Sequence, residues 1–317
     1  MSQSQDTHPF LSAIKPEAPQ ALLNLARKNK PPRVALVNAG ATTPLAGIRE
    51  AADAGLAEPI LIGETAKIQS TAEEIGYDIS NLRIIHAPHA EASHKAAELA
   101  RDGDADAIMK GQVHTSTFLK GLLPSKAGLR GKGVRCGHIF HITAPGNDRP
   151  ILLTDAALNV DPSIETRQAC LTHAVNLAQL LGVTRPKAAL LAPTEDPIPS
   201  VQNTMDSAAI AEWAKTALPH ADVAGPISMD LLLSKDAAAV KGYDNPVAGD
   251  ADIILTPNIT TGNALFKLMT LGMGCCSGGL VMGAKVPILL TSRSQKAPAR
   301  LASAALGMVV AAAGVNA

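Results

Sequence analysis

Two long segments of the sequence carry basic residues and no carboxylates. Residues 107–147 contain six lysines and arginines and residues 253–317 contain five, yet neither segment has an aspartate or a glutamate. The rest of the chain holds 17 basic and 28 acidic residues, so the overall net charge of zero conceals an asymmetry. Together the two segments would raise a positive potential and form a site for an anion. A buried C-terminal segment would explain the missing acids, but not the five retained bases.

Polar residues follow four apolar runs at the points where the runs end, namely Lys110-Gly111, Asp155, Asn258 and Ser292-Arg293. In open parallel sheets, ligands bind beyond the carboxyl ends of the strands. These residues therefore predict a site at that edge. Asp155 has a second interpretation, since an aspartate at the end of a strand also caps or orients the turn that follows.

The segment GLRGKG has the composition of a phosphate-binding loop. Its three glycines, at positions 128, 131 and 133, allow backbone N–H groups to approach a phosphate beside Arg130 and Lys132. The sequence contains neither G-x-x-x-x-G-K-[ST] nor a G-x-G-x-x-G after its first strand, so both common nucleotide fingerprints are absent. Aromatic residues make up only 2% of the chain, which favours a small phosphorylated ligand over a nucleic acid.

Two pairs of residues resemble sites but are better explained as parts of the core. His138 and His141 are three residues apart, so on a strand they point to opposite faces and do not share a metal ion. We expect two histidines with satisfied hydrogen bonds and no metal site. Cys275 and Cys276 lie in the apolar, glycine-rich stretch LGMGCCSGG and are expected to be small buried residues rather than nucleophiles.

Short apolar runs alternate with Ala- and Leu-rich helical stretches along the chain, a pattern typical of an α/β fold with mostly parallel, doubly covered strands. The predicted strands are 33–38, 59–63, 82–87, 106–110, 151–155, 187–193, 222–227, 252–257 and 287–292. Asp161-Pro162 is a predicted helix start, and Asp206 is predicted to cap the helix that begins SAAIAEWA.

The length of 317 residues predicts two domains. The N-terminal residues lack the pattern of a secretory signal, and residues 301–317 are too few to span a bilayer, so we expect a buried C-terminal helix. The four cysteines show no C-x-x-C spacing. Reduced thiols in a cytoplasmic protein are therefore expected.

Several long blocks of the sequence resemble the phosphate acetyl/butyryltransferases. They are MKGQVHTSTFLKGLL, AGLRGKG, LLTDAALNVDPSIETR, GDADIILTPNITTGNALFK and GAKVPILLTSRS, at residues 109–123, 127–133, 152–167, 249–267 and 283–294. The resemblance extends from about residue 30 to the end, and details such as MKG, TFLK and TPNITTGN resemble the butyryl branch more than the acetyl branch.

This resemblance implies transfer of an acyl group from coenzyme A to phosphate. It also implies two α/β/α domains of the isocitrate/isopropylmalate dehydrogenase type, with the active site in the cleft between them and residues 1–150 plus 291–317 in one domain and 151–290 in the other. The implied partners are acyl-CoA and phosphate or acyl phosphate, with coenzyme A as a substrate, no permanently bound cofactor, and a second copy of the chain in a homodimer. Nucleic acid and membrane are not expected as partners.

The resemblance also implies roles for individual residues. Ser292 and Arg293 match the family's catalytic Ser-Arg pair. Lys120 corresponds to a basic residue after the family's H-T-T turn, although its spacing differs by one residue. The remaining candidates for substrate binding are Lys110, His114, Thr115, Arg130, Lys132, Asp155, Asn258, Gly262 and Asn263.

One position departs from the acetyl branch, which has an aspartate seven residues after the serine that is thought to help deprotonate the CoA thiol. Ala299 occupies that position, and no carboxylate follows Asp252. Our hypothesis is direct transfer in a ternary complex without an acyl-enzyme. Two alternatives remain open: an NAD-dependent dehydrogenase of a phosphorylated small molecule on a related fold, and a CoA-binding protein without catalytic activity.

Overall fold

The computed structural model describes residues 8–290 and 296–314. Within them the chain forms two compact units. The central unit contains His138–Ser277 and the N-terminal residues up to Pro19, and the outer unit contains Gln20–Gly137 and the residues from Gly278 onward. The domain boundaries implied by the resemblance lie at other positions, 150/151 and 290/291, and stay a prediction.

The outer unit is built on a mostly parallel sheet with the strand order β3-β2-β1-β4-β11-β10. Only β10 runs antiparallel to its neighbour β11. The strands are β1 (Arg33–Val37), β2 (Glu58–Gly63), β3 (Arg83–His86), β4 (Ala107–Lys110), β10 (Cys276–Met282) and β11 (Ile288–Leu289). The helices of this unit are α1 (Gln20–Ala26), α2 (Thr42–Asp53), α3 (Thr65–Glu74), α4 (Ala92–Asp102), α5 (Thr115–Leu122) and α11 (Ala297–Ala312).

The central unit has the strand order β5-β6-β9-β7-β8, in which only β5 is antiparallel. Its strands are β5 (Gly137–Thr143), β6 (Pro150–Thr154), β7 (Lys187–Leu191), β8 (Asp222–Ile227) and β9 (Ile253–Leu255). Its helices are α6 (Ile164–Leu180), α7 (Gln202–Ala217), α8 (Met229–Leu233), α9 (Lys235–Val240) and α10 (Ile259–Lys267), which continues as a π-turn over Leu268–Gly272. The predicted α/β class and mostly parallel pairing are confirmed.

All nine predicted runs contain strands, but the prediction left out β5 and β10. Glycine and cysteine hide β10, because CCSGG lacks the β-branched and aromatic residues that mark a strand. Packing requires Gly278 there, since a Cβ on it would lie 2.8 Å from the backbone carbon of Ala302 in α11. A close approach between helix and strand has therefore removed the sequence signal of the strand.

Both predicted helix starts are wrong. Ser163, rather than Asp161-Pro162, caps α6, and its hydroxyl oxygen accepts a hydrogen bond from the Thr166 N–H. The helix α7 begins at Gln202, so Asp206 lies inside it instead of at its start. The Asp206 carboxylate lies 3.9 Å from the buried guanidinium of Arg167 on α6.

The predicted buried C-terminal helix is confirmed as α11. Ten of its residues, between Ala299 and Val310, are buried. Across the described parts of the chain, no helix combines the length and the apolar character needed to cross a membrane.

Every residue of β5 is buried, including its two histidines. Burial lowers the pKa of His138 and of His141 to about 4, although the nearby Asp155 carboxylate opposes the shift at His138. The unfolded chain, with an ordinary histidine pKa near ~6.5, binds protons first as the pH falls. The stability contributed by these neutral rings is therefore present above pH ~6.5 and lost between pH ~6.5 and 4.

We expect a His141→Leu variant to lose part of this acid sensitivity. Its free energy of unfolding should fall by about 2–3 kcal/mol less than that of the wild type between pH 7 and pH 4, because one of the two buried rings no longer titrates. Urea unfolding at a series of pH values measures this difference. The exposed His220 provides the control, since His220→Gln should keep the wild-type slope. Equal slopes for all three proteins would contradict the account.

Candidate active site

In the outer unit, the turns after β1 and β4 are joined at the carboxyl edge of the sheet. Val37 lies opposite Lys110 in the register, and the N–H of Gln112 donates to the carbonyl oxygen of Asn38 at 3.1 Å. Gly111 is required at this junction, because a Cβ on it would lie 2.1 Å from the carbonyl oxygen of Val37. The Lys110 side chain is 5% exposed. A lysine is thus buried at the edge where ligands of such sheets bind.

The strand β11 brings the second acid-free segment to the same edge. It pairs in parallel with β4, with Ile288 opposite Ile108 and Leu289 opposite Met109. The parts of the two acid-free segments that form β4 and β11 therefore lie side by side in the outer unit. Ser292 and Arg293 follow β11 in the sequence, and both lie outside the described residues.

Three further residues predicted to bind substrate, His114, Thr115 and Lys120, lie on or next to α5. His114 is its N-cap residue and Thr115 its first residue, so both lie close to the end of β4. Lys120 is exposed in the last turn of α5, about 7 Å further along the helix axis. The structure thus groups His114 and Thr115 with Lys110 and places Lys120 toward the other end of the helix.

The glycine-rich loop starts from the opposite edge of the sheet. The carbonyl oxygen of Leu129 accepts a hydrogen bond at 2.6 Å from the N–H of Lys285, which precedes β11 and so lies at the amino edge. Arg130 follows directly; its Nη1 donates to the Val134 carbonyl oxygen, and its buried Nε has no partner among the described residues. Lys132 is exposed. Whether these two side chains contact substrate stays a prediction.

In the central unit, Asp155 organises the turn after β6. Its carboxylate accepts hydrogen bonds from the backbone N–H groups of His138, Ala157, Leu158 and Asn159 and from the Asn159 amide, at 2.6–3.3 Å. Five donors on one buried carboxylate fix the path of residues 155–159. This geometry matches the second interpretation of Asp155, in which it orients the turn.

The N-terminus of α10 packs directly on this turn. Asn258 caps the helix, and its side-chain oxygen accepts from the N–H and the hydroxyl of Thr261. Asn263 donates to the Ala156 carbonyl oxygen at 3.3 Å. A Cβ on Gly262 would lie 2.5 Å from the carbonyl oxygen of Asp155, so glycine is needed for this contact. Asp155, Asn258, Gly262 and Asn263 therefore lie together in the central unit, and their contact with substrate stays a prediction.

The expectation that His138 and His141 have satisfied hydrogen bonds is wrong, because both ring nitrogens of His138 and Nδ1 of His141 have no partner among the described residues. Arg167 is a further buried polar group of the central unit. Arg167 is 2% exposed; its Nη2 donates to the Ser207 hydroxyl at 3.2 Å, and burial lowers its pKa. Only contacts between distant parts of the chain place these groups, so no local pattern identifies them.

The four cysteines are free and buried. Burial raises the pKa of Cys275, that of Cys136 to about 11, and that of Cys276 to about 12. A thiol with such a pKa is protonated near neutral pH and is a poor nucleophile. No group of three or more His, Cys, Asp or Glu side chains in residues 8–290 and 296–314 is arranged to hold a metal ion.

Comparison with known proteins shows which family the chain is similar to. The family model described as "Phosphate acetyl/butaryl transferase" matches residues 84–308. A phosphate acetyltransferase of Rhizobium meliloti is 34% identical over 300 residues, which cover 94% of this chain and 95% of the relative. A phosphate butyryltransferase of Clostridium acetobutylicum is 35% identical over 269 residues, covering 84% and 89%. Sequence identity therefore does not separate the two branches.

Two solved structures show how far the fold is shared. A branched-chain phosphotransacylase from Enterococcus faecalis V583 superposes with a TM-score of 0.77 at 29% identity, covering 88% of this chain and 99% of that one. A putative 4-hydroxythreonine-4-phosphate dehydrogenase from Salmonella typhimurium reaches a TM-score of 0.58 at 13% identity over 88% of this chain and 99% of its own, a likeness of fold alone. With a family model over most of the chain and relatives above 30% identity along nearly its full length, this chain belongs to the phosphate acetyl/butyryltransferase family.

Proposed function

We propose that the protein transfers a short acyl group, acetyl to butyryl, between coenzyme A and phosphate by direct reaction in a ternary complex. The observation that carries the proposal is the parallel pairing of β11 with β4. It joins the two acid-free segments at the edge that holds buried Lys110 and from which the chain continues to Ser292 and Arg293. Both substrates are anionic, so the basic residues that the two segments bring to this edge suit them.

The reaction needs positive charge more than covalent chemistry. An oxygen of hydrogen phosphate attacks the thioester carbonyl carbon, and the carbonyl oxygen becomes an oxyanion. The intermediate collapses by breaking the C–S bond, and CoA leaves as a thiolate that takes up the proton lost by the phosphate. Arg293 has a planar fork of donors that binds a phosphate or the oxyanion through two hydrogen bonds. Ser292 is assigned a hydrogen bond to the sulfur or the oxyanion. Lys110 adds a further positive charge, and much of the acceleration comes from proximity of the two substrates.

No carboxylate base is assigned to the CoA thiol. Ala299 stands where the acetyl branch has an aspartate, and no acid follows Asp252. In the reverse direction the thiol must lose its proton, and nearby cations lower the pKa of a thiol without a base. Turnover is therefore consistent with an alanine at position 299, provided that cationic side chains lie near the thiol. The burial of all four cysteines, and the raised pKa of Cys136, Cys275 and Cys276, support a reaction without an acyl-enzyme.

We expect purified protein to release CoA from acetyl-, propionyl- or butyryl-CoA only when phosphate is added, with a thiol reagent as the readout. Replacing Arg293 by Ala should lower kcat/KM by a factor of at least ~100, because the oxyanion loses a charged donor. Arg293→Lys should recover only part of the loss, since a lysine cannot bind through two parallel hydrogen bonds. The ranking of kcat/KM among the three thioesters gives the preferred acyl length.

Arg185→Lys is the control, because this exposed arginine pairs with Asp222 at the amino edge of the central unit and should leave turnover unchanged. CoA binding without turnover of any thioester would favour the binding-protein alternative. A phosphate-independent absorbance change at 340 nm with NAD would favour a dehydrogenase.

We further propose a homodimer that works in the cytoplasm. Four free, buried thiols suit a reducing compartment. The support for a dimer is an apolar surface on the central unit, formed by Phe10, Ile14, Leu233, Leu268, Leu271 and Met273, each at least half exposed. The segment 8–14 lies against the π-turn, because the Ser12 N–H donates to the Leu271 carbonyl oxygen at 2.8 Å.

A cavity of about 420 Å³ opens within this surface, and Leu233, Leu268 and Met273 line it together with core residues such as Met269 and Cys275. A surface with both a hollow and protruding apolar side chains can be complementary to a second copy of itself, as a twofold interface requires. Six side chains of ~100 Å² each supply roughly 600 Å² per copy, approaching the ~800 Å² per partner of stable interfaces.

A Leu271→Glu variant should dissociate the dimer, because it places a charge within the apolar contact. Sedimentation equilibrium at micromolar concentration measures the result, and the dissociation constant is expected to rise by at least ~100-fold. Val240→Glu is the matched control, since Val240 is 88% exposed but does not line the cavity. A monomeric wild type, or a dimer unaffected by Leu271→Glu, would contradict the assignment of this surface.

A further inference from the structure

A small cavity lies at the carboxyl edge of the sheet in the outer unit, where the turns after β1, β2 and β4 meet. Its volume is about 140 Å³, and Asn38, Glu64, Lys67 and Gln112 contribute polar side chains to its lining. Pockets that enclose a whole drug-sized ligand start at roughly 300 Å³. This cavity therefore suits one part of a larger ligand, such as a single ring with its substituents.

Backbone contacts hold the cavity open. The N–H of Ala39, after β1, donates to the carbonyl oxygen of Ile62 in β2 at 3.0 Å. A Cβ on Gly40 would lie 2.9 Å from the Cβ of Lys67, so the turn after β1 contacts the first turn of α3. The lining is therefore fixed by the fold, and a ligand that enters it does not have to order a loop.

Asn38 provides a hydrogen-bond acceptor to the cavity. It is 6% exposed and has a φ of 53°, a left-handed conformation that asparagine adopts more readily than most residues. Its Nδ2 donates to the His89 carbonyl oxygen at 3.1 Å, whereas Oδ1 accepts no hydrogen bond from any described residue. An amide oxygen in this position can accept from a hydroxyl group of a ligand.

An ion pair of Glu64 and Lys67 adds a second acceptor and a positive charge. Nζ of Lys67 lies 2.9 and 2.8 Å from the two carboxylate oxygens. The hydrogen bond from Lys67 lowers the pKa of Glu64, so this carboxylate is ionised near neutral pH. The side chains are 39% and 64% exposed, which leaves both within reach of a ligand. A carboxylate accepts from a hydroxyl and an ammonium binds a phosphate, so the pair matches a ring that carries both groups on neighbouring atoms.

The strand order supports a sugar as that ring. The outer unit contains the order β3-β2-β1-β4, which is also the order in the first half of dinucleotide-binding folds. In those folds an acidic residue at the end of the second strand accepts a hydrogen bond from a ribose hydroxyl. Glu64 directly follows β2. The turn after β1, NAGATT, has a single glycine and lacks the fingerprint for a diphosphate, so the likeness concerns the ribose position alone.

We propose that this cavity binds the phosphorylated ribose of a nucleotide, with a ribose hydroxyl on Glu64 and Asn38 and the phosphate on Lys67. Coenzyme A is one source of this group, because its ribose carries a 3′-phosphate beside a free 2′-hydroxyl. A separate nucleotide is the other source. Only the first source rests on the proposed function. Gln112 lies two residues after Lys110, so a CoA bound here would begin next to the edge that holds the buried lysine.

Titration calorimetry with adenosine 3′,5′-bisphosphate tests the site without relying on turnover. We expect Glu64→Gln and Asn38→Gly each to raise the dissociation constant by at least ~10-fold, because each removes an acceptor for the hydroxyl. Glycine at position 38 keeps the left-handed backbone, so this variant should fold.

Lys67→Met should raise the dissociation constant of adenosine 3′,5′-bisphosphate by at least ~10-fold and leave that of adenosine 5′-monophosphate within about twofold, because only the former carries a phosphate on the 3′ position. Lys95→Met is the matched control. Lys95 forms an ion pair of the same helical spacing with Glu98 on α4, at 2.7 Å, and does not line the cavity.

Hydrogen exchange locates the ligand. Addition of adenosine 3′,5′-bisphosphate should slow exchange of amides in residues 38–41 and 63–67, and Glu64→Gln should abolish this protection at the same ligand concentration. Protection that is confined to other parts of the chain would overturn the proposal.

Competition separates the two sources. If the ribose belongs to CoA, the bisphosphate should compete with acyl-CoA, and Glu64→Gln should raise the KM for acyl-CoA while kcat stays within about twofold. If it belongs to a separate nucleotide, the bisphosphate binds without competition and this KM is unchanged. Either result supports the site.

Absence of binding at millimolar concentration, or equal dissociation constants for the wild type and all three cavity variants, would overturn the proposal. The proposed function can fail independently. A wild type without phosphate-dependent turnover, but with binding that depends on Glu64 and Lys67, would contradict acyl transfer and leave the ribose site in place.

Discussion

The outer unit depends on a short parallel pairing, that of β11 with β4. Only two residues of β11 form the strand, yet this contact joins parts of the chain that are about 180 positions apart in sequence. The Leu289 side chain packs against α11 at Gly307, where a Cβ would lie 2.8 Å from its Cδ2, and this contact helps to hold the strand in place. The same pairing brings buried Lys110 to the edge of the sheet from which the chain continues to Ser292 and Arg293.

The central unit reaches its geometry through a buried carboxylate instead of a strand contact. Asp155 gathers five N–H donors, and α10 then packs onto the ordered turn through Gly262 and Asn263. A carboxylate satisfied in this way has little capacity left for a ligand. The observed role of Asp155 is therefore to order residues 155–159, onto which α10 packs.

Much of the fold was readable from local patterns, since doubly covered parallel strands appear as continuous apolar runs and nine of them do so here. The polar residues that follow the strands could be located for the same reason, and their part in a site stays a prediction. The predictions that were wrong or missing concern features that depend on contacts between residues distant in the sequence. Gly278 conceals β10 because α11 approaches its backbone, and Asp206 resembles a helix cap while it lies inside α7 near Arg167. The ring nitrogens of His138, which have no partner among the described residues, leave no local signature at all.

The central claim is that acyl transfer occurs directly between the two substrates, in a protein whose four cysteines are buried. Exchange of labelled CoA into unlabelled acyl-CoA in the absence of phosphate tests it most directly. An acyl-enzyme releases CoA before phosphate binds, so it would incorporate the label without phosphate. The account predicts no incorporation without phosphate and rapid incorporation once acyl phosphate can form. Label exchange at a rate comparable to kcat without phosphate would contradict it.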